Sequence, residues 1–142
     1  MQNSLLVITH GAFAQALLST AEMIFGEQKN ISSLTLMPGM QIEDFRLKIE
    51  DYIVKHENDN ILILVDLLSG SPFNSVIPQL QNERIYVVTG VNLPMLLEVG
   101  MQKDKIGFEE LCSLAKTSGI AGIVTKDDIC LLYTSPSPRD CS

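Results

Sequence analysis

Side chains able to do chemistry near neutral pH are few in this chain, and they sit at breaks in its pattern. It has two histidines, His10 and His56. His10 stands where a short apolar run, Ser4 to Thr9, gives way to His10-Gly11. An imidazole there can act as a nucleophile, a general base or a metal ligand. Gly11 beside it leaves room for a bulky group and for close backbone approach. Asp66 ends a second apolar run, Ile61 to Val65. After a loop, Ser71-Pro72 reads as a helix start, Ser71 as the N-cap and proline in the first helical position. A carboxylate that accepts one imidazole N–H leaves the other ring nitrogen a free lone pair, the orienting role of a buried aspartate in a hydrolase triad. The first N–H groups of a helix, with the positive end of its dipole, suit a phosphate. Each residue alone is most often structural. Together they carry weight, because they close strands expected to be neighbours.

The other candidates are weaker. His56 lies in the polar stretch HENDN and reads as a solvated helix end. No GxGxxG follows the first apolar run and no P-loop with its lysine occurs, which leaves a nucleotide site without support. The three cysteines, Cys112, Cys130 and Cys141, are odd in number and match no metal-site spacing. Cys112 falls on the apolar face of a predicted helix, as a buried small hydrophobe. No metal and no cofactor is expected.

The elements that must position these residues alternate. Ser4 to Thr9, Ile31 to Met37, Ile61 to Val65 and Ile85 to Thr89 read as strands. Phe13, Ala16, Leu17, Thr20, Ala21 and Ile24 follow helical spacing up to Gly26. Ile42, Phe45, Ile49, Tyr52 and Ile53 give a second, amphipathic helix. A third starts at Ser71 and is kinked or shortened at Pro78. A short helix runs from Pro94 to Val99, and a last one from Phe108 is closed by Gly119. Ile120 to Thr125 reads as a final short strand. This alternation predicts an α/β fold, a mostly parallel sheet with helices on both faces. In such a sheet ligands bind beyond the carboxyl ends of the strands, where His10, Asp66 and Ser71 fall.

The chain has 142 residues, 46% of them apolar, and a formal net charge of -7. Length and composition fit one globular domain that buries its own core. The negative charge disfavours nucleic acid and anionic membranes and favours basic protein partners. No apolar run approaches a membrane span, and the N-terminus lacks a basic region and a cleavage site, so a cytoplasmic location is expected. Residues 1–129 form the expected domain. The turn-rich stretch 130–142, ending SPSPRDCS, does not continue the pattern and reads as a non-native or disordered tail.

Several segments resemble the IIA domain of the mannose family of sugar phosphotransferase systems. They are ITHGAFAQALLSTAEMIFGEQ at 8–28, MPG at 37–39, ILILVDLLSGSPFN at 61–74, TGVNLPMLLE at 89–98, and the helix ending at Gly119. The likeness covers roughly residues 4–129. It implies a flavodoxin-like sheet with strand order two-one-three-four and a last strand often exchanged between subunits of a homodimer. It implies that His10 accepts phosphate from the carrier HPr and passes it to a IIB protein that serves the membrane IIC and IID subunits. Asp66 matches the aspartate that pairs with this histidine, and Ser71, with Gly11, would contact the phosphate. Ser69 stands where a glycine is expected, and Leu67 is apolar where some members carry a hydroxyl. Met40, Leu68, Phe73 and Met95 are the candidate docking residues; the alternative for Phe73 and Met95 is that they face the core. No IIB-like segment follows, which suggests a free-standing IIA. The competing readings are the phosphocarrier subunit of a dihydroxyacetone kinase, a non-catalytic binding module of the same fold and a small-ligand-binding flavodoxin-like domain. The intact GSPFN and GVNLPM segments favour the sugar system.

Overall fold

The apolar strand runs become a four-stranded, all-parallel sheet in the order β2-β1-β3-β4 in the computed structural model, which describes residues 1–133. Its strands are β1 (Asn3–His10), β2 (Ile31–Leu36), β3 (Asn60–Val65) and β4 (Ile85–Thr89). The helices are α1 (Phe13–Phe25), α2 (Ile42–Lys55), α3 (Ser71–Val76), α4 (Leu93–Gln102), α5 (Phe108–Ala121) and α6 (Lys126–Tyr133).

β1 and β3 are central, and every residue of β1 before His10 is buried. A strand covered on both faces needs apolar side chains at odd and even positions alike. Leu5, Val7, Leu62 and Leu64 accordingly face one core with α1, α4 and α5. Leu6, Ile8, Ile61, Ile63 and Val65 face the other, where Phe45 and Ile49 of α2 and Val76 of α3 pack. The register sets the site: Ile8 pairs with Val65 across β1 and β3, and His10 pairs with Leu36 across β1 and β2. His10 and Asp66 therefore emerge side by side at the carboxyl end of the sheet.

The C-terminal strand expected over Ile120–Thr125 does not form in this chain. Ile120 and Ala121 stay on α5, which runs past Gly119. Thr125 instead starts α6: its hydroxyl accepts the Asp128 N–H at 3.3 Å, and the Asp128 carboxylate accepts the Thr125 N–H at 3.1 Å. That reciprocal pair is a capping box. α4 is also longer than expected, and α3 begins at Ser71 with Gly70 as its N-cap. At Pro78 it tightens into a short 3-10 turn, Ile77–Gln79. The boundary expected after residue 129 falls inside α6; the rest of the tail from 134 onward, with Cys141, lies outside the described residues.

Candidate functional site

Asp66 is the centre of a compact hydrogen-bond set. Its Oδ2 accepts the His10 backbone N–H at 3.0 Å and lies 2.8 Å from His10 Nδ1. Its Oδ1 accepts the Leu67 backbone N–H at 2.9 Å. Burial works against the charged carboxylate, but the His10 backbone N–H, the His10 ring and the Leu67 N–H outweigh it and hold Asp66 below the usual carboxylate range. An ionised carboxylate can only accept. In the neutral ring, the 2.8 Å contact therefore assigns the proton to Nδ1 and leaves Nε2 with a free lone pair. The Asp66 side chain is 12% exposed and that of His10 is 48% exposed, so the anchor is sheltered while the ring reaches solvent.

The surrounding backbone is fitted to that ring. Gly11 takes a positive φ of 55° and its N–H donates to the Leu36 carbonyl at 2.8 Å. α1 begins two residues later. Gly70, at φ 105°, presses on the ring: a Cβ there would lie 2.9 Å from His10 Cε1 and 3.0 Å from Nε2. A side chain would collide with the nitrogen that carries the lone pair. Ser71 follows directly as the first residue of α3.

Two neighbours fall at the strand ends expected to form the site, but their roles are not visible in the sequence. Gly70 was visible only as part of GSPFN; what marks it is a contact with His10, far away in sequence. Thr9 reads as the last β-branched residue of a strand, yet its hydroxyl accepts the Ala14 N–H at 2.7 Å and donates to the His10 carbonyl at 3.1 Å.

The expected docking residues separate. Leu68 is 70% exposed on the loop after Asp66. Met40 and Phe73 are half-buried against the core beneath α2 and α3. For Met95 the docking reading fails and the core-facing one holds: it is 3% exposed in the opposite core. Its side chain points inward from α4 to α5, where its Cε crowds Gly119. Exposed Phe13 at the start of α1, Met37 beyond β2 and Leu67 beyond Asp66 add apolar surface outside the expected docking set. His56 sits at the far end of α2, stacked on Tyr52 with ring centroids 4.0 Å apart.

Comparison with known proteins gives a consistent result. Residues 4–116 match the family described as PTS system fructose IIA component. The mannose-specific EIIAB component of Escherichia coli (strain K12) is 37% identical over 126 residues, which is 87% of this chain and 39% of that protein. The chain thus spans about two fifths of the length of that relative. The fructose-specific EIIA component of Bacillus subtilis (strain 168) is 31% identical over 118 residues, 80% of this chain and 79% of that one. Among solved structures, the PTS IIA protein associated with the fucose utilization operon of Streptococcus pneumoniae superimposes with a TM-score of 0.77 at 30% identity, over 91% of this chain and 96% of that one.

Proposed function

The chain belongs to the mannose-type IIA family of the sugar phosphotransferase systems, whose members are phosphotransferases, and on that premise we propose that it is a phosphocarrier with His10 as the phosphorylated residue. The observation that carries this reading is the Asp66 oxygen shared by the His10 N–H and Nδ1, which leaves Nε2 as the free nucleophile.

In the proposed step, Nε2 attacks the phosphorus of phospho-HPr in line. An N–P bond forms at His10, and the bond from phosphorus to the donor breaks, its electron pair leaving with HPr. The Nδ1 proton stays on the ring, hydrogen-bonded to Asp66. As the ring loses electron density, the Asp66 carboxylate stabilises the positive charge that develops on it. Ser71 and the free backbone N–H groups at the nearby helix starts hold the phosphoryl oxygens; Gly11, whose N–H is committed to Leu36, contributes room beside the ring rather than a donor. A IIB nucleophile then attacks the same phosphorus from the side that HPr vacated and restores neutral His10. Catalysis here is positioning and electrostatics, as is usual for phosphoryl transfer.

The two partners dock in turn over the apolar surface around His10, which includes Leu68, Met40 and Phe73. Exchange of partners calls for small, short-lived interfaces, and the -7 charge of the chain favours basic faces on both. The reading also includes a homodimer working in the cytoplasm, the dimer being open to sedimentation analysis.

The test is phosphate transfer from phosphoenolpyruvate through the general carriers to this protein, wild type against His10→Ala, read by intact mass at neutral or mildly alkaline pH. One acid-labile phosphate on the wild type alone is the expected result. An unphosphorylated wild type, with carriers shown to be active, overturns the reading.

A further inference from the structure

Thr9 is fully buried and polar, and it lies one residue before the reactive histidine. A buried hydroxyl must be satisfied, and this one is used in both directions. It accepts the Ala14 N–H at 2.7 Å, a donor in the first turn of α1, whose N-cap residue Ala12 has no side chain able to cap. It donates to the His10 carbonyl at 3.1 Å.

The peptide units around His10 are thereby held at three points. The His10 N–H is bound by Asp66 beyond β3, the His10 carbonyl by Thr9, and the Gly11 N–H by Leu36 at the end of β2. Without the Thr9 tie, only the Gly11 N–H bond to Leu36 still holds the His10–Gly11 peptide, which can then pivot about it. Rotation there swings the His10 Cα–Cβ direction relative to Asp66 and separates the two donors that share Oδ2.

We propose that Thr9 is a positioning residue for His10: its hydroxyl ties the His10 carbonyl to the first turn of α1 and so keeps the backbone N–H and Nδ1–H converged on one Asp66 oxygen, with Nε2 free. The role in transfer rests on the phosphocarrier reading above; the role in holding the ring does not. A simple helix cap would affect stability alone, whereas a positioning residue also changes the state of the imidazole.

The test compares Thr9→Val, which keeps the shape and removes the hydroxyl, with Thr9→Ser, which keeps the hydroxyl. Ring-nitrogen spectra of 15N-histidine-labelled protein report the His10 tautomer, with His10→Gln to assign the signals. Single-turnover phosphorylation is followed in parallel, well below each variant's melting temperature. Wild type and Thr9→Ser are expected to show the Nδ1–H tautomer. Thr9→Val is expected to show a mixture of both tautomers and a transfer rate reduced about tenfold, with the half-saturating donor concentration unchanged. Thr9→Ala is read in the same way if Thr9→Val does not fold. A wild-type tautomer and rate in the hydroxyl-free variants, even with lowered melting temperatures, overturns the proposal. So does a Thr9→Ser protein as impaired as Thr9→Val, which would assign the role to the methyl group. If wild type itself accepts no phosphate, the phosphocarrier reading falls, while the ring spectra still decide what Thr9 does.

Discussion

One oxygen of Asp66 holds His10 twice, at its backbone N–H and at Nδ1. The two bonds fix different things. The backbone bond locks the end of β1 against the loop after β3, and the ring bond sets which nitrogen carries the proton. Asp66→Asn keeps an acceptor of the same size and removes the negative charge. Its carbonyl oxygen can still take the ring proton, so the tautomer survives, while its NH2 group replaces the oxygen that accepted the Leu67 N–H and gives up that one bond. The transition state loses its counter-charge, and the transfer rate is expected to fall at least about tenfold. Rapid-quench phosphorylation of wild type and Asp66→Asn checks this; equal rates would remove Asp66 from the chemistry.

The same carboxylate makes stability depend on pH. Its folded-state pKa lies below its unfolded value, so the unfolded chain binds the proton more readily. The contribution to stability is then fully present above the unfolded carboxylate pKa of about 3.9. It is lost as pH falls through the lowered folded value. The stability difference between wild type and Asp66→Asn should shrink as pH falls below about 4. Urea unfolding at several acidic pH values measures it, and a difference that grows from about pH 4 downward would show the sign to be wrong.

Gly70 yields a sharper expectation. A methyl group there must lie 3.0 Å or less from two atoms of the His10 ring, and the backbone φ of 105° is one that L side chains rarely adopt. Gly70→Ala therefore forces the loop or the His10 ring to move, while it removes neither His10 nor Asp66 and touches neither core. Phosphate acceptance should drop about a hundredfold, the scale expected when reacting groups are displaced by about an ångström. The circular dichroism spectrum should stay native. Undiminished acceptance would mean that the loop yields easily and that the close approach of Gly70 is incidental.

Much of this arrangement is legible in the residues, for identifiable reasons. β1 and β3 are apolar at successive positions because both their faces are covered, and such runs are hard to read otherwise. His10 and Asp66 stand out as polar residues that terminate those runs. The sharing of one Asp66 oxygen is not legible, because it depends on the register of β1 against β3. Thr9 and Gly70 are hidden for a related reason: their roles consist of contacts to His10, and their local signals match an ordinary strand residue and an ordinary turn. Met95 stays open in the sequence because helical spacing places it on a face without saying which way that face turns. Ile120, Ile123 and Val124 favour a strand by composition. Thr125 and Asp128, three residues apart, carry the capping signal that starts a helix instead.

Cys112 tests the core beside α5 independently of any chemistry at His10. It is 6% exposed and packed with Leu111, Ala115 and the inward face of the sheet. Burial, and secondarily the charge of Glu109, push its thiol up to about 12. Alkylation proceeds through the thiolate, so both access and ionisation protect it. Iodoacetamide at pH 8 should leave Cys112 unlabelled in the native protein and label it fully in denaturant, as read by peptide mass mapping. Phe45→Ala opens the opposite core, where Phe45 is fully buried, at a cost of about 3–5 kcal/mol. If the domain unfolds as one unit, that substitution should also raise the labelling rate of Cys112, although the two residues lie on opposite faces of the sheet. Native labelling of Cys112 in wild type would contradict the packing of α5. Protection unchanged in a measurably destabilised Phe45→Ala protein would show instead that the two faces open independently.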